Sequence, residues 1–223
     1  SRYYRAMGMS LRTCTGLLLA VALLCFAYDA GERLAARMGV GQGRPEVAGL
    51  LWPVQPELTP FALEDARGGA FDDRQLRGHW TLLFLGYTHC PDVCPTTLDT
   101  LAKASAALRD FAPFAAHGQV LFVSVDYERD RGEALRRYVE YFNPAFRAAS
   151  APPAALHLLL RQLDMQAVKT SSDDSPDYAF EHSSEIVLVG PDLRVLALFD
   201  FPHEPADIAA RVRAIVQFAS QPR

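Results

Sequence analysis

Cys90 and Cys94, separated by Pro91-Asp92-Val93, are the pair of residues in this chain best suited to chemistry. They follow an apolar run, Trp80 to Leu85, that reads as a buried strand ending at Gly86. They precede a helical pattern that Pro95 opens and that continues from Thr96 to Phe111. A strand-to-helix handover is a place where α/β folds put chemistry. Placed together in the first helical turn, residues i and i+4 set both sulfurs on one face. The orphan N–H groups and the positive end of the helix dipole then favour thiolate over thiol. Two clustered thiolates make a soft-metal site, a redox dithiol, or both. The spacing is wider than the two residues usual in redox dithiols, yet it permits a disulfide, because Cα atoms one helical turn apart fall within bonding reach. Pro91 and Pro95 stiffen the turn and remove N–H donors near the sulfurs.

If the pair holds a metal, a candidate third donor lies far along the chain, although a lone loop histidine is more often not a ligand. His182 lies 88 residues after Cys94, in Tyr178-Ala179-Phe180-Glu181-His182-Ser183-Ser184, a segment that reads as a loop leading into a strand at Glu185–Val189. In an alternating fold this loop can approach the cysteine corner. Two thiolates and one imidazole form a three-coordinate soft site suited to Cu(I), and a tetragonal Cu(II) form needs a further oxygen or nitrogen ligand. Zinc could use the same set with water as fourth ligand. His89 abuts Cys90, but its side chain is expected to point away from a site made by positions 90 and 94. His79, His117, His157 and His203 are scattered, and Met165 reads as packing. Asp126, Glu128 and Asp130 read as a solvated acidic cluster at a strand end, with contact to a partner as the other reading. Asp92, between the thiols, could tune their ionisation or touch a client protein. A peroxidase would want a separate resolving cysteine, and residues 55–223 carry only the one pair.

The elements that must position these groups alternate. A hairpin is expected within Phe61–Phe71, turning near Gly68-Gly69. Strand Thr81–Leu85 leads to helix Pro95–Phe111, and strand Val120–Val125 leads to helix Arg131–Phe142. A helix at Pro153–Leu163 and a short strand at Gln166–Lys169 follow, then the polar loop Ser171–Asp177, expected to be mobile. Strand Glu185–Val189 turns through Gly190-Pro191-Asp192 into strand Arg194–Phe199, and a last helix spans Pro205–Phe218. Strand–helix alternation, then a hairpin and a final helix, predicts an α/β, thioredoxin-like layered fold.

Upstream of that body the composition changes. Residues 13–28 are sixteen positions without a charge, preceded by Arg2, Arg5 and Arg12. They read as an uncleaved single membrane anchor (residues 1–30) rather than a removed signal peptide or a core helix. Residues 31–54, rich in Gly and Pro, read as a tether, with Trp52 and Leu58 free to pack on the domain at 55–223. The net charge is −4 although the N-terminal twelve residues are basic, so the body is acidic and nucleic acid is excluded as a main partner. Of four cysteines, Cys14 lies in the uncharged segment and so does Cys25; one remaining pair is no disulfide framework.

The stretch Phe84-Leu85-Gly86-Tyr87-Thr88-His89-Cys90-Pro91-Asp92-Val93-Cys94-Pro95 resembles the signature of the Sco/SenC family of copper-binding assembly proteins. The likeness continues through Phe122–Asp130, Glu181-His182-Ser183-Ser184 and Gly190-Pro191-Asp192, covering roughly residues 55–218. Two departures stand out: Tyr127 where the family often has Pro, and Glu181 where Asp commonly precedes the histidine. The resemblance implies a membrane-anchored thioredoxin-like protein that binds one copper, as Cu(I), Cu(II) or both, through Cys90, Cys94 and His182. It further implies service to the dinuclear copper centre of cytochrome c oxidase subunit II or a similar client. That service is copper delivery, reduction of the client's cysteines, or both, the latter making Cys90 and Cys94 a catalytic redox dithiol. An upstream copper donor and a thiol reductant are implied partners. The implied location is the bacterial inner membrane with the domain in the periplasm, or the mitochondrial inner membrane facing the intermembrane space.

Overall fold

A computed structural model describes residues 55–170 and 178–220. The expected anchor, the tether with Trp52, and the polar loop 171–177 lie outside the described residues. Among the described residues no helix is long and apolar enough to cross a membrane.

The centre of the domain is β3 (Trp80–Gly86), in which every residue is buried. A strand covered on both faces needs a continuous apolar run, and Trp-Thr-Leu-Leu-Phe-Leu-Gly supplies it. Around it stand β1 (Ala62–Asp65), β2 (Ala70–Asp72), β4 (Gly118–Ser124), β5 (Arg147–Ser150), β8 (Ile186–Val189) and β9 (Val195–Phe199). They form a seven-stranded sheet in the order β2-β1-β5-β4-β3-β8-β9. β3, β4 and β5 run parallel, whereas β8 is antiparallel to β3 and β9 to β8. The first hairpin, β1–β2, turns at Gly68 and Gly69, both at positive φ. Helices α1 (Val93–Ala107), α2 (Ala112–His117), α3 (Gly132–Phe142), α4 (Pro153–Gln162) and α5 (Pro205–Ala219) complete the layers, with α1 packed against α3 and α5. Two short strands, β6 (Ala167–Lys169) and β7 (Phe180–His182), pair with each other outside the main sheet. This is the α/β, thioredoxin-like arrangement expected from the alternation.

Some elements differ from the sequence reading. β5 carries Ala148 and Ala149, weak strand formers, and is held by parallel pairing to β4 and antiparallel pairing to β1. The single helix expected to Phe111 is two, because α1 closes at Ala107 and Pro113 starts α2. The start of α1 is Val93, not Pro95, and Asp92 occupies the N-cap position. Leu58 is buried, as is Met165.

Register explains where the site must be. Phe84 of β3 faces Ile186 of β8 in an antiparallel pair, and Gly86 faces Ser124 of β4 in a parallel one. The chain leaving β3, the chain leaving β4 and the chain entering β8 therefore meet at one end of the central strands. These are the segments that hold Cys90 and Cys94, Asp126–Asp130, and His182.

Candidate metal centre

The two cysteines do not share a helical turn. Cys90 precedes the helix, and Cys94 sits inside its first turn. The backbone between them curls so that the Cys94 N–H donates to Cys90 Sγ at 3.4 Å. The sulfurs thus converge by a capping contact rather than by i, i+4 helical geometry. Cys94 is fully buried, and Cys90 is half-buried. Both are free thiols.

Gly86 makes room for the buried sulfur. A Cβ at that position would stand 2.8 Å from Cys94 Sγ and 2.6 Å from Phe122 Cε2. Both neighbours are packed in the core, so no side chain larger than hydrogen fits without displacing Cys94.

His182 closes the group, but from a strand rather than the expected loop. It ends β7, where it faces Ala167 of β6. Its Nε2 lies 3.5 Å from Cys94 Sγ. Its Nδ1 lies 2.9 Å from the Ser183 carbonyl oxygen. A carbonyl only accepts, so in the neutral ring the proton belongs on Nδ1, and the Nε2 lone pair is left facing the sulfurs. The ring stands edge-on to Tyr87 and Phe84, with centroids at 5.9 and 6.3 Å.

The ligand atoms of Cys90, Cys94 and His182 all lie within 4.8 Å of one another. Ligands about 2.0–2.3 Å from one ion stand about 3.5–4 Å apart, so small side-chain adjustments bring all three onto a single ion. Two sulfurs and an imidazole suit a soft or borderline cation; a hard oxygen-seeking ion would not be held here. Among the described residues this is the one His/Cys/Asp/Glu group with such geometry.

In the reduced pair the two thiols divide their roles. The Cys94 thiol hydrogen-bonds to Cys90, which, with the His182 ring and the N–H groups of Cys94 and Asp92, holds Cys90 well below the ordinary thiol range against the opposing effect of burial. Cys94 moves the other way, because it donates to the Cys90 thiolate and is buried. The shared proton belongs to the pair, with the charge resting on Cys90. Alkylation of the reduced, metal-free protein should therefore modify Cys90 and spare Cys94. The Cys90 rate should stay nearly flat from about pH 6 to 8, where an ordinary thiol gains about tenfold per unit below its pKa of about 8.5. Mapping the adduct by mass spectrometry checks this, and a tenfold rise per unit at Cys90 would contradict it.

Of the acidic cluster only Glu128 is solvated, as expected from the sequence; the two aspartates are not. Asp130 is fully buried, and Asp126 is 1% exposed. Asp130 accepts from the Thr88 N–H at 2.7 Å, from Thr88 Oγ1 at 2.5 Å and from Ser124 Oγ at 2.7 Å, which ties the cysteine loop to the end of β4. Asp126 pairs with Arg129 and accepts from Tyr178 Oη at 2.8 Å. Glu128 accepts from the same hydroxyl at 3.1 Å. The signal in the sequence was the position of these acids at the end of a parallel strand beside the cysteine strand; their charge alone suggested solvent.

The remaining candidates stand apart. His89 is exposed, with Nδ1 3.0 Å from Thr88 Oγ1, and is not among the three clustered donors. His203 Nε2 is 2.9 Å from the Ser184 carbonyl oxygen. His79 and His117 face each other, ring centroids 6.4 Å apart. Asp92 is exposed and makes no side-chain cap, and Tyr127, at one of the two departures, donates to Glu64 at 2.7 Å.

Comparison with known proteins shows the family and the fold. Residues 53–217 match the SCO1/SenC family model. The chain is 34% identical over 153 residues to a mitochondrial SCO2 homolog of Danio rerio, covering 69% of this chain and 54% of the relative. It superimposes on the crystal structure of Arabidopsis thaliana ScoI with copper bound at a TM-score of 0.66 and 29% identity, covering 71% of this chain and 97% of that one. Bradyrhizobium japonicum ScoI with copper bound gives a TM-score of 0.62 at 33% identity, covering 71% of this chain and 98% of that one. The chain spans about half the length of the curated relatives it matches.

Proposed function

The chain belongs to the SCO1/SenC family, and from that premise we propose that it binds one copper through Cys90, Cys94 and His182 and passes it to a client. The client in this reading is subunit II of cytochrome c oxidase, at its dinuclear copper centre, or a similar copper-requiring protein. The observation that carries the proposal is the approach of two sulfurs and one imidazole nitrogen to within 4.8 Å of one another. Solved relatives described as copper-bound support the choice of metal. The donor set supports it independently, since thiolates favour Cu(I) and three donors satisfy its low coordination number.

The division of burial suits a carrier. Cys94 and its sulfur are enclosed, so that ligand is retained. Cys90 is half-exposed, so an incoming client thiolate can replace it first. A domain held at a membrane by residues 1–30, facing the periplasm or the intermembrane space, would meet a membrane-bound oxidase there. An upstream copper donor and a thiol reductant complete the set of partners, because only the reduced pair can hold the metal.

The unequal thiols favour a second reading, thiol–disulfide exchange. The Cys90 thiolate would attack a client disulfide and form a mixed disulfide, releasing one client thiolate. Cys94, losing its proton, would then displace the second client sulfur. The client leaves as a dithiol, the protein as a Cys90–Cys94 disulfide, and an external thiol reductant restores it. Both activities can be consecutive steps on one client.

Copper titration of the purified protein and of His182→Ala tests the first reading. The expected result is one copper per chain with sulfur-to-copper charge-transfer bands, and weaker binding with altered bands in the variant. Unchanged stoichiometry and affinity in His182→Ala would remove the histidine from the site. Reduction of a disulfide-bonded client peptide by the copper-free protein tests the second reading.

A further inference from the structure

The turn Asp126–Asp130 touches both of the segments that carry the candidate ligands. On one side Asp130 holds Thr88, two residues before Cys90, by its N–H and its hydroxyl. On the other side the turn grips Tyr178, four residues before His182. Asp126 and Glu128 accept from the Tyr178 hydroxyl at 2.8 and 3.1 Å. Arg129 donates to the Tyr178 carbonyl oxygen at 3.0 Å and lays its guanidinium 3.7 Å from the ring centroid. Lys169 of β6 places its ammonium 3.6 Å from the same centroid. Hydroxyl, ring and backbone of one residue are all engaged, with cations on a ring they attract.

Tyr178 is aligned with the ligand. Side chains along an extended segment alternate, so Tyr178, Phe180 and His182 share one side. Ring contacts run from Tyr178 to Phe180 at 5.8 Å, from Phe180 to Tyr87 at 5.6 Å, and from Tyr87 to His182 at 5.9 Å. The β6–β7 ribbon has two strands, among the described residues pairs with no strand of the main sheet, and is too small to hold its own position. Its placement depends on side chains such as these.

We propose that the Asp126–Asp130 turn is a bracket that sets the His182 strand against the cysteine loop, with Tyr178 as a positioning residue acting on the metal through His182. The inference rests on the copper reading above. Releasing Tyr178 frees the ribbon to carry His182 off the sulfurs, while Asp130 keeps the cysteine loop in place. The histidine is then the ligand whose departure the turn controls.

Tyr178→Phe in the full chain tests this, because it removes the hydroxyl and keeps the ring. Two measurements are made: amide hydrogen exchange in the copper-free protein, and loss of Cu(I) to an excess of a Cu(I) chelator. The Thr170 and Ser183 amides, which bond across the ribbon to Ala179 and Gln166, should exchange faster, with β3 amides unchanged. Copper loss should accelerate roughly tenfold, the weight of a hydrogen bond to a charged group, and the acceleration should disappear in a His182→Ala background. Unchanged ribbon exchange, or equal acceleration with and without His182, would overturn the proposal. Asp130→Asn is the second variant, expected to speed exchange at Thr88 and leave the ribbon amides alone; loosening of the ribbon instead would also overturn it. Should the parent protein hold no copper, the copper reading falls, and ribbon exchange in Tyr178→Phe still decides whether the bracket exists.

Discussion

Cys94→Ser is expected to abolish copper binding while leaving the fold intact. Serine keeps the side-chain shape but replaces a soft, polarisable thiolate with a hydroxyl that stays protonated and is a poor ligand for Cu(I). The site offers no replacement, since Cys94 is enclosed by Gly86 and Phe122, and the described residues hold no fourth His, Cys, Asp or Glu in the cluster. One thiolate and one imidazole would remain, and affinity should fall on the order of a thousandfold or more. Stability should change much less, by about 1 kcal/mol, because the substitution is smaller than a methyl deletion and leaves the helix start unchanged. Copper competition against a chelator, read beside thermal unfolding of the metal-free protein, separates the two effects. Copper retained near parental affinity in this variant would remove the central ligand from the account.

Asp130→Ala should be the most destabilising single substitution in the segments around the site. The carboxylate is fully buried and accepts from Thr88 N–H, Thr88 Oγ1 and Ser124 Oγ. Alanine removes the acceptor from the buried Ser124 hydroxyl and from the part-buried Thr88 N–H, while Thr88 Oγ1 keeps His89 Nδ1 at 3.0 Å. Each unsatisfied buried group costs about 1–3 kcal/mol, so the total is about 3 kcal/mol or more. For a domain of this size the midpoint of thermal unfolding should fall by roughly 10 °C. Asp130→Asn, which keeps one acceptor oxygen, should lie between alanine and the parent. A fall of less than about 2 °C in Asp130→Ala would show that the network contributes little.

The Asp130 expectation could not have been drawn from the sequence, although much of the site could. The apolar run ending at Gly86, the paired cysteines and the helical pattern after them are local signals, and the strand, turn and helix appear there within a few residues. Alternation of strands and helices was equally legible, because hydrophobic periodicity is written along the chain. What went unread depended on neighbours. β5 has alanines where a strand former was wanted, and only pairing with β4 and β1 makes it a strand. Three residues of strand give no periodic signal, so the sequence reads His182 as part of a loop; it is the ribbon partner at Ala167–Lys169 that makes β7.

Residue types alone marked Cys90, Cys94 and His182 as possible ligands and made a soft metal or a dithiol the chemistry to consider. That the three meet was decided in three dimensions, by β8 running antiparallel beside β3 in a register that sets Ile186 against Phe84. The inequality of the two thiols and the burial of Asp126 and Asp130 were decided there as well. Ionisation and solvation depend on what surrounds a group, and those surroundings come from segments tens of residues apart.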